Sequence, residues 1–515
     1  MTRPRVPLMT FLASGMLAAA AGALSGWLMP RGPVTTTQAL GTVAGCLVIG
    51  VVAGWLTRSR WALLVAPVAF VAAYELVRVP VDGPTLDAPR LDGLYGILVL
   101  LVGRGVDALL TLLPMLVGIG YGITIARRRN RRHPGSQHLA ATRRPSHGVV
   151  RAGRVVRGAI LSLGTVLVLV LVAGLLRPAG TEPITGPDGE PVPGSVAELV
   201  RVPIGGHEQH LMIRGRHAHA PVMLFLEGGP GGSALGRMRR SAEPLEEHFV
   251  VVTWDQRGTG KSYPALDPVA TMTPEQMTSD TIEVIDHLRQ RFGQDRIYVV
   301  GSSWGSTIGV LTAQQRPDAV AAFVGTGQMV DQFETDELMY AENLAQAQRT
   351  GDHARVQRLQ AAGPPPYTDP LDYLEALAGN PEWMGFAHGE DYNPASEYPM
   401  AFFVAEYTLI EQLRGMAGLA ETYAVLYPQL ADVDFRRDVP RLEVPVFLIQ
   451  GAHEADGRAV LAREWYDGLR APHKQWITLD KSGHTPPYDE PGRFAQILAD
   501  VVLNETPVPS DGTRR

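Results

Sequence analysis

The feature that most restricts this chain lies in its first third. Leu8 to Met29, Gln38 to Leu56, Trp61 to Val79 and Gly158 to Leu176 each come close to the ~20 successive apolar residues a helix needs to cross a bilayer. A further apolar stretch, Leu94 to Ala126, is too long for one upright helix and too short for two. Its second half, about Leu109 to Ala126, is taken as the span, which leaves Arg104 and Asp107 near an interface, where their i to i+3 spacing allows them to pair. An ion path is the alternative for those two charges. Backbone polar groups in lipid must be satisfied within the segment, so residues 1–176 are expected to form an all-α transmembrane region of about five helices: 8–29, 38–56, 61–79, 109–126 and 158–176.

Arginines set the expected orientation. The loop 127–157 holds ten of them and no acidic residue, which places it in the cytoplasm. Arg3, Arg5, Arg58 and Arg60 then fall inside, Asp82, Asp87 and Asp92 fall outside, and everything after the last span emerges on the extracytoplasmic side. The later spans argue against reading Leu8 to Met29 as a cleaved signal peptide. With a net charge of -6 the whole chain offers no reason to expect nucleic acid as a partner, and the anchor accounts for the basic loop without one. Cys46 is the only cysteine, so there is no disulfide framework or cysteine metal cluster, and the redox compartment stays open.

Residues 177–195, "RPAGTEPITGPDGEPVPGS", read as a linker. Beyond a probable hairpin, "AELVRVP" and "EQHLMIRG", short apolar runs alternate with helical patterns. The runs are "PVMLFLE", "HFVVVTW", "RIYVVG", "AVAAFVGT", "VPVFLIQG" and "KQWITL". The helical patterns cover Ser279 to Phe292, Trp304 to Arg316, Gly457 to Leu469 and Asp489 to Leu503. Such alternation predicts a mostly parallel sheet with helices on both faces. Residues 327–438 interrupt it with a stretch too long to be a loop, expected as an inserted helical cap. The core then comprises 196–326 and 439–505, followed by a disordered tail, 506–515.

Gly301-Ser302-Ser303-Trp304-Gly305 fits G-x-S-x-G between a strand and a helix, the setting in which the central serine is a nucleophile. Ser303 would sit at the tip of a strained turn, with the Trp304 N–H offered to a developing oxyanion, while Ser302 and Ser306 have packing and capping roles available. Glu227-Gly228-Gly229-Pro230-Gly231-Gly232 follows an early strand, and Gly229 is the expected second oxyanion donor. Asp255-Gln256-Arg257-Gly258-Thr259-Gly260-Lys261-Ser262 lacks the leading glycine of a phosphate loop and is expected to be a structural turn, with Asp255 and Arg257 bracing the oxyanion loop. A base must follow the serine, and His484, past the last strand, suits that role. His217, His219 and His287 have ordinary surface explanations. For the orienting acid, Glu454 and Asp456 compete after "VPVFLIQ".

These motifs, "GGPGG", "WDQRGTGKS", "GSSWGST" and "SGH", occur in an order that resembles the α/β-hydrolases of the proline iminopeptidase (prolyl aminopeptidase, serine peptidase S33) group over about Ala197 to Leu503. The resemblance implies an α/β-hydrolase fold and a triad of Ser303, Glu454 and His484, with Glu standing where the group has Asp. Asp456 is the alternative acid. A second departure is Glu227, where the group usually has His. The group binds a free α-amine with cap carboxylates, which points to Glu406 and, less directly, Glu411. It needs no metal or organic cofactor. The expected activity is a membrane-anchored aminopeptidase acting on small peptides. The alternatives are an ester or lipid hydrolase on the same triad, and a non-catalytic sensor or transport-coupled domain. The resemblance assigns the membrane portion no function.

Overall fold

A computed structural model describes residues 8–79, 94–131, 147–367, 373 and 400–507. Arg3, Arg5, the acidic loop with Asp82, Asp87 and Asp92, the middle of the arginine-rich loop, most of the cap between 368 and 399, and the tail beyond 507 lie outside those residues. The chain divides into two units. The first is Met1–Ala88, Val99–Pro178 and Thr408–Leu413, and the second is Pro89–Leu98, Ala179–Tyr407 and Arg414–Arg515.

The first unit is built from α1 (Leu8–Leu28), α2 (Thr36–Thr57), α3 (Ala62–Arg78), α4 (Leu94–Arg131) and α5 (His147–Leu175). Among the described residues four helical segments are long and apolar enough to cross a membrane: Leu8–Leu28, Thr36–Thr57, Gly103–Arg129 and Val155–Leu175. Two of the five expected spans fall on helices of a different length. α3 has 17 residues and so reaches only about 25 Å. α4 is one continuous helix of 38 residues, and the expected span Leu109 to Ala126 lies inside its apolar segment Gly103–Arg129. Arg104, expected to pair with Asp107, reaches across to α3 and grips Glu75 through Nη1 at 2.6 Å and Nη2 at 2.8 Å. A bidentate fork to a carboxylate on a neighbouring helix satisfies two guanidinium donors at once.

Small residues bring these helices together. Gly50 and Gly54 on α2 face Gly118 and Gly122 on α4, and a Cβ at any of the four would come within 2.1–2.3 Å of a backbone carbonyl oxygen of the facing helix. Two interlocking G-x-x-x-G pairs thus let the two helix backbones pack in direct contact. α2 is entered through a capping box, in which Thr35 Oγ1 accepts from the Gln38 N–H and Gln38 Oε1 accepts from the Thr35 N–H.

In the second unit, β1 (Val196–Ile204), β2 (His207–Gly215), β3 (Val222–Leu226), β4 (Val250–Asp255), β5 (Ile297–Ser302), β6 (Val320–Thr326), β7 (Val446–Gly451) and β8 (Lys474–Leu479) form one sheet ordered β1-β2-β4-β3-β5-β6-β7-β8. β1, β2 and β4 pair antiparallel, and every later pair is parallel. The central strands β3 to β7 are buried at every residue, as continuous apolar runs on a doubly covered sheet require. The covering helices include α6 (Ala234–Ser241), α7 (Pro274–Phe292) and α8 (Trp304–Gln315). Between β6 and β7 the chain leaves the sheet to form α9 (Gln332–Thr350), α10 (His353–Ala362) and α11 (Leu409–Leu426), then re-enters and continues after β7 as α12 (Asp456–Gly468). The final helix expected from Asp489 to Leu503 runs from Pro491 to Glu505 with a π-turn at Leu498–Val502, after a separate short turn at Pro486–Asp489. Pro491 cannot donate the backbone hydrogen bond that would continue that short turn.

Candidate active site

Ser303 lies between β5 and α8 with φ 53° and ψ -123°, one of two non-glycine residues with positive φ among the described residues. Its backbone N–H donates to Thr326 O at 2.9 Å, tying the turn to the end of β6. The flanking glycines are required by close approach. A Cβ on Gly301 would lie 2.4 Å from Gly305 O, and one on Gly305 would lie 2.0 Å from Leu226 O. Strain of this kind persists where the surroundings overdetermine it, and here it holds a hydroxyl at the head of a helix. Ser306 Oγ donates to Ser303 O at 2.6 Å and accepts from the Met329 N–H at 3.0 Å, the capping and packing work expected of it.

Glu454 follows β7, and its Oε2 lies 2.6 Å from His484 Nδ1. Oε1 accepts from the Ala455 N–H at 2.8 Å and from Arg458 Nη1 at 3.2 Å. The carboxyl is buried, which pushes its pKa up, but His484 and Arg458 outweigh that penalty and hold it below the usual carboxylate range. Asp456, the competing acid, is instead the first residue of α12. With Nδ1 committed to Glu454, the other ring nitrogen of His484 is left to accept a proton. The ring sits against the end of β6 as well: a Cβ on Gly327, the residue after Thr326, would lie 2.7 Å from His484 Cε1. Thr326 and Gly327 thus bring Ser303 and His484 to the same strand end. Among the described residues Ser303 Oγ and His484 Nε2 are not hydrogen-bonded to each other, and such contacts commonly tighten only when substrate binds.

The glycine loop lies over the serine, where a Cβ on Gly228 would be 2.9 Å from Ser303 Cβ and 3.5 Å from Ser303 Oγ. Gly229 has φ 124°, and the Gly228 N–H is already taken by Glu227 Oε1 at 2.9 Å. Trp304 opens α8, where backbone N–H groups lack intrahelical partners.

The holding roles of four residues around this loop escaped sequence reasoning. Glu227 is buried and also accepts from Arg237 Nη1 at 3.3 Å and from the Tyr488 hydroxyl, while the Arg237 guanidinium lies 3.7 Å from the Tyr488 ring centroid. Gln256 donates through Nε2 to Glu227 O at 3.1 Å and accepts from the Trp304 indole at 3.1 Å, joining the loop to the elbow. The bracing role expected of Asp255 and Arg257 therefore passes largely to the residue between them. Arg257 turns away to Asp280, through Nε at 2.9 Å and Nη2 at 3.0 Å, and to Gly205 O. Asp255 accepts from the Tyr407 hydroxyl at 3.0 Å and the Lys261 N–H at 2.8 Å, reaching the helix after the loop only through the Leu235 N–H at 3.5 Å.

The two expected amine-binding carboxylates are already engaged. Glu406 is 2% exposed and holds Arg239 Nε at 2.9 Å. Glu411 Oε2 accepts from the Thr408 N–H at 2.7 Å and caps its own helix. Among the described residues no group of three or more His, Cys, Asp or Glu side chains is placed to hold a metal ion.

A sequence profile for the alpha/beta hydrolase fold matches residues 221–363. The probable aminopeptidase YbaC of Bacillus subtilis is 31% identical over 313 residues, 59% of this chain and 96% of that protein. A proline iminopeptidase of Xanthomonas citri is 39% identical over 95 residues, 18% of this chain and 28% of its own length. Among solved structures, a proline iminopeptidase-related protein of Thermus thermophilus matches with a TM-score of 0.42 at 23% identity, over 61% of this chain and 99% of that one. The chain belongs to the α/β-hydrolases, among relatives named aminopeptidase and proline iminopeptidase.

Proposed function

We propose that the chain is a membrane-anchored serine hydrolase that releases N-terminal residues, proline among them, from short peptides on the extracytoplasmic side of the cytoplasmic membrane. The observation that carries the proposal is the 2.6 Å contact of His484 Nδ1 with the buried Glu454 carboxyl, at the strand end that also receives the strained turn of Ser303. In this reading His484 Nε2 takes the Ser303 proton as Oγ attacks the substrate carbonyl, and Glu454 stabilises the imidazolium that forms. The tetrahedral oxyanion is received by the Gly229 and Trp304 N–H groups. The proton then passes to the departing amine, and water repeats the sequence on the acyl-enzyme.

Relatives named aminopeptidase and proline iminopeptidase support the peptide substrate. The four apolar helical segments support the anchor, and the arginine-rich loop supports the orientation. One observation favours a second reading, an ester or an amide without a free amine: the Glu406 carboxylate is already neutralised by Arg239. Full-length protein in detergent micelles, assayed on aminoacyl-arylamides beside short acyl esters, separates the two. Ser303→Ala should lower turnover of the preferred substrate by at least ~10³-fold and abolish fluorophosphonate labelling. Undiminished turnover in that variant would end the proposal.

A further inference from the structure

Behind Glu454 lies a buried charged cluster that a serine, a histidine and an acid do not by themselves require. Arg458, 5% exposed on the first turn of α12, donates Nη1 to Glu454 Oε1 at 3.2 Å. Its guanidinium also hydrogen-bonds Tyr373 of the cap and faces the charge of Asp336 on α9. Asp336 is fully buried. The Tyr427 hydroxyl donates to its Oδ2 at 2.7 Å and Gln332 Nε2 to its Oδ1 at 3.0 Å. Tyr373, Tyr423 and Tyr427 pack around this group with ring centroids 5.0–5.5 Å apart. The first turn of α12 is pressed on α9, since a Cβ on Gly457 would meet Leu338 Cβ at 3.0 Å and Thr335 O at 3.1 Å. Among the described residues the groups around Arg458 include Glu454 from its own loop, Asp336 from α9 and Tyr373 from the cap, with Tyr423 and Tyr427 of α11 packed on Tyr373.

A glutamate acid has one more rotatable bond than an aspartate, so Oε2 stays on His484 only if Oε1 is pinned. Arg458 and the Ala455 N–H do the pinning. A lone buried guanidinium is costly, and a second buried carboxylate interacting with it, Asp336, offsets that cost. We propose that Arg458 is a positioning residue for Glu454 and that Asp336 is its counter-charge, so that residues of the cap set the basicity of His484. The proposal rests on the triad reading above and explains how a Glu serves as the acid. Burial pushes the Asp336 carboxyl up to about 7, with Tyr427, Gln332 and Arg458 opposing that rise. Its charge, and with it the balance around Arg458, changes near neutrality.

The test uses full-length protein in detergent micelles with Arg458→Met, Arg458→Lys and Asp336→Asn. It reads the His484 titration by histidine-selective NMR, together with kcat, KM and thermal midpoint. Loss of the Arg458 cation should move the His484 midpoint upward by about 0.5–1 pH unit and lower kcat by ~10-fold or more, with KM changed less than about threefold. Arg458→Lys should restore part of both, and Asp336→Asn should move the midpoint downward. A His484 midpoint and kcat that do not respond in folded Arg458→Met would overturn the proposal. If that variant does not fold, an unmoved midpoint in both Arg458→Lys and Asp336→Asn overturns it. Wild-type protein that neither turns over substrate nor takes a fluorophosphonate label, but shows these midpoint shifts, would sink the hydrolase reading and leave the Arg458 coupling standing.

Discussion

Ser303 carries a side chain into a region of backbone space that favours glycine, and Gly301 and Gly305 are the residues that let it stay there. Gly305→Ala would place a methyl 2.0 Å from Leu226 O, with the strand behind it unable to retreat. The expected result is a destabilisation of about 4 kcal/mol or more, read as a large loss of thermal midpoint or of soluble yield. Gly293→Ala is a useful contrast, since its added Cβ meets nothing within 4 Å and only the positive φ of 65° is strained. It should cost about 1 kcal/mol, measured by the same melt. The turn that holds Ser303, the proposed nucleophile, was legible in the sequence because five adjacent residues carry the whole pattern. The roles of Glu227, Gln256 and Arg458 were not. Glu227 meets Tyr488 across 261 positions and Gln256 meets Trp304 across 48. Arg458 is only four residues from Glu454, but nothing at that spacing separates a buried clamp from a solvated i to i+4 pair.

At the scale of elements, the end of β4 is coupled to the segment leading into α11 through Asp255 and Tyr407. Burial pushes the Asp255 carboxyl up to about 7 against the opposing Lys261 N–H and Tyr407 hydroxyl. The folded state therefore binds this proton more tightly than the unfolded chain, whose ordinary value is 3.8. The stabilisation from that proton is fully present below about pH 4 and is lost as pH rises through 7. Between pH 5 and 8 wild-type protein should lose stability relative to Asp255→Asn by a few kcal/mol, seen in thermal midpoints taken across that range. A flat difference would show that the carboxyl is ionised throughout. The α2 and α4 helices depend on Gly50, Gly54, Gly118 and Gly122, and Gly118→Leu should separate them. The expected readout is a drop in the detergent-solubilised melting temperature with hydrolysis retained until melting. Strand positions were legible from apolar runs, whereas the length of α4 and the partner of Arg104 were not. A 38-residue helix and a 17-residue one both read as apolar, and hydropathy does not say which charges meet across helices.

For the whole molecule, the four apolar helical segments found among the described residues and the loop of ten arginines lead to a concrete expectation about location. The full chain should stay with the membrane pellet through alkaline carbonate, and protease added to spheroplasts should digest the hydrolase unit while the arginine-rich loop stays protected. Digestion of that loop from outside would reverse the orientation. The sequence by itself determined the apolar segments, the alternation that makes a mostly parallel sheet, and the serine's place on it, because each is written in local spacing of 2, 3.6 or about 20 residues. Tertiary structure alone decided which carboxylate meets His484, what occupies the carboxylates expected to bind an amine, and what stands behind the acid. Those are contacts between chain-distant side chains in a dry interior, where distance and burial set charge, and neither quantity is carried by residue order.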